Sequence, residues 1–195
     1  MELLGANHPG KANHRTATTQ PLPDMRPRPA TARFDDWFSG SAVVDAGGEA
    51  LRLFHGTVDE FARFSRTEDI GFHFGSAETA NARLLQMASD DDNIGGLPLG
   101  ANVRPVYLSI RRPLRVRDQH TWAPAGVADM LESFGVITAF QASSTFLIDR
   151  RYVRQVMFAA GYDGFVYSNE TEGGGDSWIA LDAGQIRPAF MRGIF

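Results

Sequence analysis

After residue 33 the chain alternates between short apolar runs and clusters of glycine and polar residues, with few windows of helical spacing. Ser41-Ala42-Val43-Val44 followed by Asp45-Ala46-Gly47-Gly48 predicts a strand and a turn. Leu51-Arg52-Leu53-Phe54 predicts the next strand and delivers His55 at its end. Phe72-His73-Phe74 predicts a further short strand. Ser76 then predicts an N-cap for a helix over 77–88, with Glu78 beside the positive end of the helix dipole. A strand over 103–110 follows, its extension limited by Pro113. Helical spacing returns over 127–134 and 150–160, the second helix stopped by Gly161. Strands over 164–167 and 178–181 flank the polar, glycine-rich stretch 169–176. Short mixed strands with few helices and no βαβ repeat predict an α+β fold.

Residues 1–33 differ in kind. Pro9, Pro21, Pro23, Pro27 and Pro29 stand there among Thr, Asn and Ala, with Lys11, Arg15, Arg26, Arg28 and Arg33. Repeated proline forbids helix, and little apolar material offsets the entropy of ordering. The expected organisation is a disordered, mildly basic leader over 1–33 and one domain over 34–195. The aromatics of Phe34-Asp35-Asp36-Trp37-Phe38 are expected to clamp the edge of that domain.

Composition narrows the chemistry. The net charge of −4 gives no bulk positive field toward nucleic acid or anionic membrane. With no cysteine, a disulfide scaffold, a thiolate metal site and a cysteine nucleophile are excluded. No apolar run is long enough to span a bilayer, and the N-terminus lacks a Sec-type apolar core. The expected setting is cytoplasmic where the chain is made, with a specialised secretion system or phage as the routes outward. The expected state is a monomer with no membrane partner. Asp90-Asp91-Asp92 lacks the alternating spacing of a calcium loop and reads as solvated.

Three segments carry the candidate chemistry: Phe54-His55-Gly56-Thr57, Gly71-Phe72-His73-Phe74-Gly75-Ser76 and Gly175-Asp176-Ser177-Trp178-Ile179. Each sets a side chain able to hydrogen-bond at a strand edge beside glycine, which lets a ligand approach the backbone. Taken singly, each is a weak signal, and a lone His beside a strand is more often a structural residue hydrogen-bonded to backbone than a catalyst.

In this order they resemble the diphtheria-toxin-like, or PARP-like, ADP-ribosyltransferases, and more closely the small bacterial and phage-borne branch found in polyvalent proteins. The resemblance runs over residues 34–190. It takes in Asp36-Trp37-Phe38-Ser39-Gly40-Ser41, Val106-Tyr107-Leu108-Ser109-Ile110, Pro113-Leu114, Gly161-Tyr162-Asp163-Gly164 and the stretch from Asn169 to Gln185-Ile186.

The resemblance implies two small antiparallel sheets split by a cleft, a few flanking helices, and NAD⁺ as the substrate with no metal. It assigns a ribose of the nicotinamide half to His55 and the carboxamide to Gly56 and Thr57. It places Phe72, His73, Phe74, Ser76 and Trp178 in the dinucleotide site. His73 stands where the family carries Tyr, so stacking falls to His73, Phe72 or Trp178. Ser177 stands where the family carries a catalytic Glu. Glu172, brought in by the flexible Gly173-Gly174-Gly175, is the preferred carboxylate and Asp176 the second. His55, His73, Glu172, Ser177 and Asp176 are thus the catalytic candidates.

The cholera-toxin-like branch offers a weaker parallel in Arg52, Ser143-Ser144-Thr145 and Glu170-Thr171-Glu172. Arg111, Arg112, Arg115 and Arg117 are the expected contacts if the acceptor is nucleic acid. A face of Arg150, Arg151 and Arg154 and the pair His120 and Trp122 read as surface. The implied function is an NAD-dependent ADP-ribosyltransferase acting on a macromolecular acceptor, as a phage-associated factor, toxin or secreted effector. The alternatives are an NAD glycohydrolase, or a catalytically weak NAD- or nucleic-acid-binding module.

Overall fold

The computed structural model describes residues 32–65, 67, 69–90, 96–144 and 148–190. The leader up to residue 31 and the Asp91-Asp92 stretch lie outside these. The chain enters through helix α1 (Ala32–Phe38). Phe34 of α1 is buried and meets the Tyr107 ring edge-on at 5.3 Å. The Trp37 indole donates to the Gly184 carbonyl at 2.9 Å, and Ser109 Oγ donates to the Trp37 carbonyl at 2.7 Å. The expected aromatic clamp is therefore a helix. Val44 and Ala50 then form a single bridge around the Asp45 turn, shorter than the expected strand. Asp45 Oδ1 holds that turn by accepting from Gly47 N–H and Glu49 N–H.

Two sheets follow. The first has the order β1 (Leu53–Thr57), β3 (Asn102–Leu108), β7 (Ile186–Pro188), with both pairs antiparallel. The second has the order β2 (Phe72–Phe74), β6 (Asp176–Ala180), β5 (Gly164–Ser168), β4 (Pro113–Val116). Its β2–β6 and β6–β5 pairs are antiparallel, while β4 and β5 run parallel. Parallel neighbours need a long crossover, and helices α3 (Pro124–Ser133), α4 (Ala139–Ser143) and α5 (Arg150–Ala159) supply it. Pro113, expected only to end β3, opens β4. A first strand position on a sheet edge tolerates its missing N–H.

The second sheet is the middle layer. Val166, Trp178 and Ala180 face the first sheet and pack with Leu53, Phe72, Phe74, Val106 and Leu108. Phe165, Tyr167 and Ile179 face the other way, onto Val127, Leu131, Val153 and Met157 of the helices. Burial on both faces explains why Gly164-Phe165-Val166-Tyr167 reads as an unbroken apolar run rather than an alternating one. The architecture is the expected α+β one with two small sheets, but the second sheet is mixed rather than antiparallel, because the helical crossover returns β5 parallel to β4.

Helix α2 (Ala77–Asp90) lies on β1. Ser76 Oγ caps it, accepting from Thr79 N–H at 3.1 Å. The two sheets meet where Phe54 and Gly75 exchange backbone hydrogen bonds of 2.9 and 3.0 Å. Apart from this bridge β1 and β2 belong to different sheets, and both line the cleft. Among the described residues no helix is long and apolar enough to cross a membrane.

Candidate functional site

The cleft has a volume of about 730 Å³, within the range of small-molecule sites. β1 and β2 form its floor, and segments 57–65, 118–122 and 169–172 form its walls. His55, Gly56, Thr57, Phe72, His73, Phe74, Glu172 and Ser177 all line it.

His55 sits in the middle of β1 rather than at its end, opposite Arg104 of β3. Its Nδ1 lies 2.8 Å from the His73 carbonyl oxygen. A carbonyl only accepts, so Nδ1 carries the hydrogen. Phe61, Phe64 and Phe74 pack around the ring at 5.3 to 6.4 Å between centroids. Burial pushes the His55 pKa below its ordinary value, against the opposing pull of the His73 carbonyl. A neutral ring protonated on Nδ1 leaves Nε2 as an acceptor for a hydroxyl donor.

Gly56 answers first to packing. A Cβ there would overlap the Ala80 carbonyl oxygen of α2, so glycine is what lets α2 lie on β1. Thr57 is buried, and its Oγ1 accepts from Asp59 N–H at 3.0 Å, starting the wall segment 58–65. Arg104 fixes that segment. It donates to the Phe61 carbonyl at 2.6 Å, and its guanidinium lies 4.1 Å from the Phe61 ring centroid.

His73 Nε2 lies 3.2 Å from Asp69 Oδ2, close enough to pair but not aligned as a hydrogen bond. Its ring meets Trp122 edge-on at 5.8 Å. Burial raises the Asp69 pKa, but the adjacent His73 imidazole, the Ile70 N–H and Arg83 outweigh it. The net shift is downward.

The opposite wall is the turn joining β5 to β6. Asn169 N–H donates to the Gly175 carbonyl at 2.8 Å, closing a turn through Gly173, Gly174 and Gly175. These three have φ of 104°, 84° and 82°, a conformation that favours glycine. The turn folds Glu172 back over Ser177. The Asn169 Nδ2 group donates to Glu172 Oε2 at 3.0 Å and to Ser177 Oγ at 3.1 Å. Tyr167, beside Ser177 in register, has its phenol pKa pushed up by burial and then by the charges of Glu172 and Asp118. It stays protonated.

Three sequence candidates lie elsewhere. Asp176 is outside the cleft lining; its carboxylate forms two hydrogen bonds with Arg115, at 3.0 and 2.6 Å. Trp178 is in the core between the sheets, because strand alternation turns it away from the face that carries Ser177. Ser76 is occupied as the α2 cap. Of the expected basic stretch, Arg111 donates to the Ser39 carbonyl and Arg115 is paired, so both brace the fold. Arg154 likewise donates to the Ile70 carbonyl. Glu170-Thr171-Glu172 lies in the turn, not on a strand, and Thr145 is outside the described residues.

The structure also brings in residues read as surface or not singled out. Trp122 stacks at a tilt on Tyr167 at 4.9 Å and lines the cleft. His120 Nδ1 lies 3.0 Å from Thr171 Oγ1. Asp118 Oδ2 accepts from Glu170 N–H and Thr171 Oγ1–H, tying the 118–122 and 169–172 walls together. Only Asn169 left a local trace in sequence, since Asn commonly starts such a turn. Among the described residues no group of three His, Asp or Glu is gathered as a metal site.

The split α+β fold thus sets the imidazole of His55 and the turn-borne carboxylate of Glu172 in the lining of one cleft. The model of the family ADP-ribosyltransferase in polyvalent proteins matches residues 45–191, and the chain belongs to that family. No curated protein and no solved structure matches the chain.

Proposed function

We propose that the protein uses NAD⁺ to ADP-ribosylate a macromolecular acceptor, as a phage-associated factor, toxin or secreted effector. The observation that carries this reading is the pairing of two opposed groups in one cleft. His55 offers an acceptor at Nε2 from a fixed, neutral ring, and Glu172 is held by Asn169 in the facing wall. The transfer breaks the bond between the nicotinamide nitrogen and the ribose, and the electron pair leaves with nicotinamide. The acceptor forms the new bond to the ribose and gives up its proton to the Glu172 carboxylate, which passes it to solvent.

In this reading His55 Nε2 accepts from a ribose hydroxyl and fixes the ring. The Glu172 carboxylate stabilises the positive charge that develops on the ribose and orients the acceptor. Trp122 and His73 flank the nicotinamide, and Tyr167, protonated, donates without adding charge. Family membership supports the class of reaction; the cleft supports the assignment of roles.

The test is incubation with labelled NAD⁺ in cell lysate, followed by separation of protein, nucleic acid and small molecules. Label in a macromolecular fraction that is lost with His55→Ala is the expected result. Free nicotinamide without incorporation makes the protein a glycohydrolase. Absence of turnover by folded protein overturns the enzymatic reading.

A further inference from the structure

Asn169 is 2% exposed at the edge of the cleft, and every polar atom of its side chain is already used. Oδ1 accepts from Thr171 N–H at 3.1 Å and from Glu172 N–H at 2.7 Å. Nδ2 donates to Glu172 Oε2 and to Ser177 Oγ. An amide offers two donors and two acceptor lone pairs, so nothing remains for a ligand. Asn169 cannot act on a substrate by direct hydrogen bonding. What it holds are the two residues that compete for the family's carboxylate position.

We propose that Asn169 is a positioning residue that fixes the Glu172 carboxylate in the cleft, with Ser177 as the second anchor of the same amide. This rests on the reading of Glu172 as the reacting carboxylate. The physical reason is the origin of Glu172 in a turn. A carboxylate on a strand is placed by the ladder, whereas one on a turn followed by three glycines has no ladder to place it. Oδ1 sets the backbone of the turn, and Nδ2 sets the carboxylate. Ser177, a hydroxyl in the place of a longer acid, leaves the room into which Glu172 folds and steadies the amide from the strand side.

The two halves of the amide separate experimentally. Asn169→Asp is isosteric, and its Oδ1 still accepts both backbone N–H groups, so the turn persists. It replaces the Nδ2 donor by an anionic oxygen facing Glu172. The expected result is a fall in kcat of roughly tenfold or more, the worth of a hydrogen bond to a charged group. KM for NAD⁺ stays within about twofold, because no ligand contact is lost. Ser177→Ala gives a smaller fall in kcat. In the Glu172→Gln background, Asn169→Asp costs little further, because both act on one group.

A second readout needs no turnover. The two side-chain amide protons of Asn169 are distinguishable in a nitrogen–proton correlation spectrum. Glu172→Gln should move one of them and Ser177→Ala the other. Asn169 amide protons unmoved by Glu172→Gln, or full kcat in Asn169→Asp while Glu172→Gln is inactive, overturns the proposal. Full activity in Glu172→Gln overturns the reading of Glu172 instead, and the spectrum still decides whether Asn169 holds its carboxylate.

Discussion

The imidazole of His55 is pinned by the backbone of the neighbouring sheet, Nδ1 against the His73 carbonyl at 2.8 Å. One bond therefore couples the floor strands and selects the tautomer. It follows that the two nitrogens of His55 separate by substitution. Asn at position 55 places an amide N–H near Nδ1 and nothing near Nε2. His55→Asn should fold like the parent protein and lose kcat/KM for NAD⁺ by roughly tenfold or more, the worth of one buried hydrogen bond. His55→Ala should also lose stability, because the His73 carbonyl is left unpaired. Steady-state kinetics and urea unfolding of the two variants check this.

Acid should weaken the fold through the same ring. The His55 pKa is lowered from 6.5 by burial. Above that value folded and unfolded chains both carry a neutral ring. As pH falls below it the unfolded chain takes a proton that the folded chain refuses, so stability declines toward the lowered folded pKa. Asp69, lowered from 3.8, stabilises the fold above that value and loses its contribution in a separate window further down. Unfolding free energy measured between neutral pH and about pH 5 should fall more steeply for the parent than for His55→Asn. Equal slopes would show that His55 does not titrate in this window.

Gly56 lies on β1 beneath α2, with the Ala80 carbonyl oxygen in the place a side chain would take. Gly56→Ala forces the helix and strand apart, an overpacking cost of about 1–3 kcal/mol. Because β1 also carries His55, activity should fall with stability. A variant with parental unfolding in urea would mean that α2 is free to shift.

The sequence made the layers legible and the site only in part. Apolar runs located β2, β5 and β6 because those strands are buried on one or both faces, and Ser76 marked the start of α2 through a local hydrogen bond. Pro113 misled, since tolerance of proline depends on whether a strand is at a sheet edge, and that is a tertiary fact. His55 and His73 were visible through the glycines and small residues beside them. Trp122 was not, because its loop is brought to the cleft by long-range contacts, its packing on Tyr167 and the bonds from Asp118 to the 169–172 turn. Trp178 was drawn into the site by proximity to Ser177, although alternation along β6 turns it to the opposite face.

Arg104 should control the order of the wall it supports. Its guanidinium donates to the Phe61 carbonyl and Asn102 Oδ1 while lying over the Phe61 ring. A lysine keeps the charge but cannot make both bonds and the stacked contact. Arg104→Lys should loosen residues 58–65 by about 1–2 kcal/mol, seen as faster amide hydrogen exchange there and little change in α5. Unchanged exchange in 58–65 would assign the order of the wall to its phenylalanines instead.

The last test sets the two acids of the β5–β6 turn against each other. Asp176 pairs with Arg115 outside the cleft, both partners substantially exposed, so the pair contributes at most about 1 kcal/mol to stability. Glu172 lines the cleft and is held at 3.0 Å by Asn169. Neutralising each in turn removes a charge four residues from the other while altering opposite sides of the hairpin. Asp176→Asn should leave turnover of NAD⁺ within about twofold of the parent, the span expected for a surface change. Glu172→Gln should lower kcat by on the order of a hundredfold, with NAD⁺ binding largely kept, because charge on the ribose develops mainly in the transition state. Measured side by side, the reverse pattern would return the catalytic role to the strand itself and leave Glu172 as a part of the turn.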